Sequence, residues 1–154
     1  MENKEYILLC SIWDRIGPFD MNRFTDRLIL QKKVFILQEI GLDFGYRFGK
    51  YTYGPYCSRL ASDGFKVNLK ENSKNANKEC IDEEFLVKLK ELEKGHERSA
   101  SWFELLGTIA YLRNKERKSK EEIKEQISKE KAYLFEEKLF DEAYKKLLEL
   151  KVIN

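Results

Sequence analysis

The residue types best suited to recognition are concentrated between positions 46 and 59. In this segment four tyrosines are interleaved with basic side chains, namely Tyr46, Tyr51, Tyr53, Tyr56, Arg47, Lys50 and Arg59. Aromatic rings stack on bases and basic groups neutralise phosphates, so the mixture suits single-stranded nucleic acid. The same residue types dominate hot spots in protein interfaces, which is the interpretation we favour. A purely structural alternative is that the rings pack under the N-terminal helices while the charges protect an edge strand.

The other reactive residue types do not assemble into a catalytic set. His96 is the only histidine and follows a predicted helix end at Gly95, where it would interact with terminal carbonyl groups. Cys10, Cys57 and Cys80 form no Cys-x-x-Cys pair, which indicates reduced thiols in the cytoplasm. The glycines match no phosphate-binding motif. We therefore expect no enzyme activity, no catalytic residues, no cofactor and no metal ion.

The amino-acid composition limits the classes of partner that this chain is expected to bind. The chain has 154 residues, of which 42% are hydrophobic and 36% are charged, so it can bury a core and still carry an ionic surface. Its 29 Lys and Arg residues against 27 Asp and Glu residues give a net charge of +2, which weighs against a protein that simply coats nucleic acid. The sequence shows neither a signal peptide nor an apolar run of the roughly 18 residues that a membrane helix needs. We expect a cytoplasmic protein with no membrane partner.

Two helices are predicted ahead of the aromatic segment. Apolar residues recur at helical spacing over residues 4–16 and again over residues 26–40. Thr25 or Asp26 would cap the second helix, and Gly41 would follow it in a left-handed conformation. The inward face of that helix would carry Leu30, Val34 and Leu37. Its exposed side would carry Arg27, Lys32 and Lys33, the first two of which extend the predicted partner surface.

A small β element is predicted within the aromatic segment. Phe44, Tyr46 and Phe48 alternate with the period of a strand, and the alternation continues with a shifted phase at Tyr51 and Tyr53. Gly49-Lys50 separates the two sets, either as a hairpin turn or as a bulge, and we favour the hairpin. Pro55 is predicted to open a short helix that runs to about Ser62.

The second half of the chain reads as helical. A polar loop over residues 66–81 would join two sub-lobes of one domain, residues 1–65 and 82–154. Helices are predicted over residues 82–95, 100–116, 119–131 and 136–150, with Asp82 and the Ser119–Glu122 capping box as start signals. Phe103, Leu106 and Leu147 would lie in the core. The order from Ser119 onward is like a helix-turn-helix, but helix 136–150 carries more acidic than basic residues, which favours a packing role.

Three stretches of the sequence resemble a known family. They are the helix segment Leu30-Gln31-Lys32-Lys33-Val34-Phe35-Ile36-Leu37, the segment Gly45-Tyr46-Arg47-Phe48, and the Tyr-Thr-Tyr-Gly-Pro-Tyr run over residues 51–56. They are similar to the YwgA-like bacterial and archaeal proteins and, more distantly, to the antitoxin-associated Panacea domain. The resemblance covers about residues 26–63. It implies a compact, mostly helical fold without an established enzyme activity, and the Panacea group implies a partner-binding, antitoxin-like role.

These observations together predict a mainly α single domain with one small β-hairpin or extended element near residues 46–53 and a helix-turn-helix-like C-terminal half. We expect a non-enzymatic cytosolic interaction or regulatory module that binds a protein partner, as an antitoxin or an adaptor would. The alternative is a nucleic-acid-binding regulator that uses residues 46–59 or the C-terminal helix-turn-helix. Either partner would contact a surface formed by Arg27, Lys32, Tyr46, Arg47, Lys50, Tyr51, Tyr53, Tyr56 and Arg59.

Overall fold

The computed structural model describes residues 3–69 and 79–154. Within these ranges the chain forms seven helices and one antiparallel two-stranded hairpin. The elements are α1 (Lys4–Ile16), α2 (Phe24–Glu39), β1 (Gly49–Tyr51), β2 (Gly54–Tyr56), α3 (Ser58–Leu69), α4 (Glu83–Glu93), α5 (Ala100–Asn114), α6 (Lys120–Glu130) and α7 (Glu137–Glu149). The predicted mainly helical fold with one small β element is confirmed.

Helix α2 begins earlier than its sequence signals suggested. The residue before it, Arg23, makes no side-chain capping bond, so the prediction of Thr25 or Asp26 as N-cap was wrong. Asp26 instead accepts a hydrogen bond at 2.8 Å from the backbone N–H of Asp20 and thereby fixes the loop that precedes the helix. At the other end Gly41 has φ +114°, a left-handed conformation that glycine adopts without steric cost, as predicted.

Helix α2 runs through the interior, and α5 packs along it. The six residues predicted to form the core are confirmed as fully buried: Leu30, Val34, Leu37, Phe103, Leu106 and Leu147. Contacts with α3, α4, α5 and β2 also bury the other faces of α2. Consequently Lys32 and Lys33 lie inside the protein, and the prediction that they face solvent was wrong.

The hairpin lies later in the sequence than the alternating aromatic residues suggested. Strands β1 and β2 pair with Lys50 opposite Pro55, so Gly49-Lys50 lies within β1 and the turn consists of Thr52 and Tyr53. The predicted turn was therefore misplaced.

The backbone around Tyr46 does not form the predicted strand, because a helix side chain takes the place of a strand partner. The Gln38 amide accepts a hydrogen bond at 2.9 Å from the Tyr46 N–H, and it donates one at 3.0 Å to the Tyr46 carbonyl. Both backbone groups of this residue are thereby satisfied without a ladder.

Pro55 lies in β2 and does not open a helix, which contradicts the prediction. The strand is at an edge of the hairpin, where the missing N–H of proline is tolerated. Helix α3 starts only at Ser58 and extends to Leu69, so residues 66–69 of the predicted loop are helical. Residues 70–78 of that loop lie outside the described residues.

The C-terminal helices pack onto α5. The predicted capping box is present, with Ser119 and Glu122 each bonding the other's backbone N–H at the start of α6. After α7 the chain turns back, and the Val152 N–H donates to the Leu147 carbonyl at 2.9 Å. Val152 and Ile153 are buried, so the apolar C-terminal residues complete the core without forming a strand.

Candidate functional site

A cavity of about 370 Å³ opens between α2 and the hairpin. Its walls are residues of the start and middle of α2, the turn and strands of the hairpin, Met21 and Ala61. We call it the hairpin cavity. Most of the lining is uncharged, Arg27 and Lys32 are the cationic members, and the lining includes no carboxylate. Its volume lies in the usual range of about 300–1,000 Å³ for ligand pockets.

Four large aromatic side chains surround this cavity and remain exposed to solvent. They are Phe24, Tyr51, Tyr53 and Tyr56, with exposed fractions between 36% and 62%. We call them the aromatic rim. They form two edge-on pairs, since the Phe24 and Tyr53 rings are 5.2 Å apart and the Tyr51 and Tyr56 rings are 5.4 Å apart. Each pair holds its rings in a favourable relative orientation without removing them from solvent.

Two neighbouring polar residues of α2 attach the hairpin to the helix. Gln31 forms both hydrogen bonds of an amide pair with Cys57, donating to its carbonyl at 2.9 Å and accepting from its N–H at 2.8 Å. Lys32 Nζ donates to the Pro55 carbonyl at 2.6 Å. The hairpin is thus positioned by side chains from the interior of a helix, which explains how so short a sheet keeps a defined place.

The hairpin approaches α5 so closely that glycine is needed in the contact. A Cβ atom on Gly54, whose φ is +95°, would lie 2.9 Å from Thr108 Oγ1. On the facing helix, a Cβ atom on Gly107 would lie 3.0 Å from Lys32 Cδ. The absence of both side chains leaves room for the aliphatic part of Lys32 between the two elements.

Burial changes the acid–base behaviour of Lys32. Its side chain is 2% exposed, and loss of hydration lowers its pKa to about 7. The carboxylate of Glu104 opposes this change and the ammonium group of Lys131 adds to it. The amine therefore changes its charge near neutral pH, which is unusual for a lysine.

A polar network closes the side of the hairpin that faces α5. Glu104 Oε2 lies 3.0 Å from Lys131 Nζ and accepts a hydrogen bond at 2.6 Å from the Tyr133 hydroxyl. Lys131 also donates to the carbonyl of Thr52 in the hairpin turn. Nearby, Thr108 Oγ1 has no hydrogen-bond partner among the described residues and lies beside a cavity of about 20 Å³, which is large enough for one water molecule.

The structure separates the residues of the predicted surface. Tyr51, Tyr53 and Tyr56 lie on the aromatic rim, and Arg27 lines the hairpin cavity in a half-buried position. Tyr46 is buried, so its predicted surface position was wrong. Its hydroxyl donates to Asp63 at 2.7 Å, and burial together with this hydrogen bond raises the pKa of Tyr46.

The three remaining basic residues of the predicted surface do not line the hairpin cavity. Arg47 and Arg59 line a second cavity, of about 340 Å³, whose lining also includes Tyr51 and Tyr56 of the aromatic rim, and Arg59 is 3.8 Å from Glu5. Lys50 points toward Glu116, with 3.5 Å between the charged atoms. Two of the three exposed cations therefore already face a carboxylate.

Several residues of the site were missed by sequence reasoning, namely Phe24, Glu104, Thr108, Lys131 and Tyr133. Phe24 and Lys131 lie far in the sequence from the hairpin residues that they contact, Tyr53 and Thr52, so no local pattern could have indicated these contacts. Tyr133 is likewise distant in the sequence from its partner Glu104. Glu104 and Thr108 lie within α5, where apolar residues on every side of the helix are a readable sign of complete burial. Polar residues in such a helix must find partners inside the protein.

The remaining reactive residues do not form a second site. His96 stacks on Trp102 with 3.9 Å between ring centres, and its Nε2 is 3.0 Å from Glu142. Across residues 3–69 and 79–154, no group of three His, Cys, Asp or Glu residues is arranged to hold a metal ion. In the same ranges, no helix has the length and apolar character needed to cross a membrane.

Comparisons with protein-family models, with curated protein sequences and with solved structures find no match for this chain.

Proposed function

We propose that this chain is a non-enzymatic, cytosolic interaction module that binds a protein partner through the aromatic rim. The observation that carries the proposal is the arrangement of Phe24, Tyr51, Tyr53 and Tyr56, four exposed rings around one mostly apolar cavity. Tyrosine and other aromatic residues supply most of the binding energy in protein interfaces, because they bury a large area at a small cost in side-chain entropy.

The geometry suits a partner that inserts an apolar side chain into the hairpin cavity. Rings around the cavity would surround such a side chain and exclude water from it. Exclusion of water is typical of the residues that contribute most of the binding energy in an interface. The charged groups in the lining, Arg27 and Lys32, are both cationic, so an acidic surface around the inserted side chain is complementary. A regulatory role of the antitoxin or adaptor kind would follow if one such partner is held stably.

Nucleic-acid binding is the weaker alternative. It would require Arg47, Lys50 and Arg59 to meet phosphates on a common face. Lys50 and Arg59 instead lie near Glu116 and Glu5, and the net charge of +2 provides little long-range attraction for a polyanion.

The test compares variants of the aromatic rim with a matched exposed aromatic residue elsewhere. A partner is first captured on the wild-type protein and purified, and its affinity is then measured by calorimetry. Tyr53→Ala should weaken binding by about 30-fold, which corresponds to the roughly 2 kcal/mol of a hot-spot residue. Phe65→Ala on α3, which removes a ring that is 42% exposed, should change the affinity less than about 2-fold. Equal effects of the two variants would refute the proposed site.

A second measurement addresses the alternative. The purified protein is titrated with a single-stranded oligonucleotide at several salt concentrations. Weak binding at every salt concentration is the expected result. Tight binding that falls steeply with salt, and whose salt dependence decreases in Arg47→Ala, would replace the protein-partner proposal by the nucleic-acid one.

A further inference from the structure

Lys32 has hydrogen-bonding capacity that the protein does not use. A protonated lysine amine carries three N–H donors. Among the described residues, the Pro55 carbonyl is the only group that accepts a hydrogen bond from Nζ. No carboxylate of the described residues lies within 4.0 Å of Nζ, although Lys32 lines the hairpin cavity. A buried ammonium group without an anionic partner is energetically costly, so an anion that enters this cavity gains a strong partner.

The nearby charged groups do not fill this role. The negative charge of Glu104 on α5 acts on Lys32, but this carboxylate is already engaged by Lys131 and the Tyr133 hydroxyl. On α2 itself, Arg27 also lines the cavity and uses one N–H for the Met21 carbonyl, at 2.9 Å. The hairpin contributes the rings of Tyr51, Tyr53 and Tyr56 to the lining, and no carboxylate. The groups that face Lys32 therefore leave a net positive, largely apolar space.

We propose that the hairpin cavity is a binding site for a small carboxylic acid with an apolar body, and that Lys32 recognises its carboxylate. The carboxylate would accept hydrogen bonds from the unused N–H donors of Lys32, with Arg27 as a second cation at the cavity wall. The hydrocarbon or aromatic part of the acid would pack against Leu28 and the rings of the aromatic rim. The protein itself supplies this site, so the inference does not depend on a protein partner.

Binding of such an acid is coupled to the protonation of Lys32. The free amine, with its pKa of about 7, is about half protonated at pH 7. A bound carboxylate favours the charged form and raises the pKa, so binding takes up about half a proton at pH 7. Affinity should consequently fall about tenfold from pH 6 to pH 8, since the charged fraction falls by about that factor.

The experiment uses 3-phenylpropionate as the probe and 3-phenylpropanamide as its uncharged control. Binding to the wild-type protein is measured by calorimetry at pH 7 in two buffers of different ionisation enthalpy, which reports proton uptake directly. We expect the acid to bind with uptake of about half a proton, and the amide to bind at least about tenfold more weakly, because a charged hydrogen-bonded pair is lost. Equal affinity of acid and amide, or binding of the acid without proton uptake, would overturn the proposal.

Variants then assign the effect to one lysine. Lys32→Met should reduce affinity for the acid at least about tenfold and abolish the proton uptake. Lys50→Met, on the hairpin but facing Glu116, serves as the matched control and should leave both unchanged. If Lys32→Met does not fold, the acid–amide comparison and the proton uptake of the wild type still decide the question.

A peptide arm distinguishes a free acid from an acidic side chain of a protein. The probe is the blocked tetrapeptide acetyl-Leu-Phe-Glu-Leu-amide. Weaker binding of the peptide than of 3-phenylpropionate supports a small-molecule site. Tighter, Lys32-dependent binding of the peptide overturns the small-molecule assignment in favour of the partner's carboxylate. Absence of binding by either probe overturns the inference while leaving partner binding at the aromatic rim to its own test.

Discussion

Lys32 and Lys33 are adjacent on α2 and are both almost fully buried, but the surroundings of their amino groups differ. Each donates a hydrogen bond of 2.6 Å to a backbone carbonyl, Lys32 to Pro55 and Lys33 to Ile16. Lys33 also lies 2.9 Å from a carboxylate oxygen of Glu93 on α4 and faces two aromatic rings. No carboxylate of residues 3–69 and 79–154 forms such an ion pair with Lys32, which lines a cavity instead.

Under our proposals, the Lys33 side of α2 serves stability and the Lys32 side serves binding. On the Lys33 side, the charge of the lysine already faces a counter-charge and two aromatic rings within the fold, so it needs no ligand to balance it. On the Lys32 side, the part of the chain that the structure describes supplies no ion-pair partner for the lysine, which lies beside a cavity that opens to solvent. Incomplete buried sites of this kind are costly to maintain and are typical of functional positions.

Removal of the paired lysine should produce the largest change. Lys33→Met leaves the Glu93 carboxylate mostly buried without its cation, and we expect a loss of about 3–5 kcal/mol in the free energy of unfolding. The measurement is urea denaturation followed by circular dichroism. The double variant Lys33→Met/Glu93→Leu should recover most of this loss, because an apolar pair replaces the ion pair. A double variant less stable than the single one would contradict our account.

The contact between the hairpin and α5 should be the next most sensitive feature. In Gly54→Ala the new methyl group would approach Thr108 within 2.9 Å, and the residue would keep a left-handed φ of +95°. We expect a loss of roughly 3 kcal/mol. Gly95→Ala is the matched control, since its φ is +88° but its methyl group would meet no atom within 4 Å. It should cost only about 1 kcal/mol in the same assay. Equal costs would mean that the close approach is unimportant.

The charge of Lys32 should be visible in the pH dependence of stability. Its pKa is about 7 in the folded protein and 10.5 when unperturbed, so between these values the unfolded chain binds more protons. Burial of the charged amine therefore destabilises the folded protein fully below about pH 7, and this destabilisation decreases as the pH rises from 7 toward 10.5. Relative to Lys32→Met, the wild type should gain about 2 kcal/mol between pH 7.5 and pH 9. A difference that stays constant over this range would show that Lys32 is not neutralised by burial.

An exposed lysine near the same hairpin should matter least. Lys50 is 3.5 Å from Glu116, and both side chains are substantially solvated. We expect Lys50→Ala to change the free energy of unfolding by less than about 1 kcal/mol, because solvent screens such pairs. The check is urea denaturation at low and high salt. A larger loss in the free energy of unfolding that disappears at high salt would show that the Lys50–Glu116 ion pair contributes substantially to stability.

The helices and their inward faces were predictable from local signals. Helix α1 has the predicted bounds, and Asp82 and the Ser119–Glu122 pair cap α4 and α6 as expected. A helix needs only its own periodic residues and its end signals, and both lie within a few positions in the sequence. The six-residue core followed from the same periodicity.

The hairpin and the candidate site were not predictable in the same way. Strand pairing depends on which partner the backbone groups find, and the backbone of Tyr46 is paired with the Gln38 side chain rather than with a strand. The sequence placed Tyr51, Tyr53 and Tyr56 in a recognition segment, and the structure exposes all three beside the cavity. Their partner-binding role stays a prediction, as does the proposed resemblance to YwgA-like proteins.

Periodicity, caps and composition determined by themselves that this chain is a mainly helical protein with an aromatic segment after its second helix. Only the tertiary structure decided that Lys32 and Lys33 are internal and that, among the described residues, only Lys33 has a carboxylate as an ion-pair partner. The physical reason is that α2 is covered on its remaining faces by elements distant in sequence, α4 and α5 among them. The position of a lysine on its own helix does not show what such an element will place beside it. Helix α4 places a carboxylate beside Lys33, whereas the hairpin leaves a cavity beside Lys32.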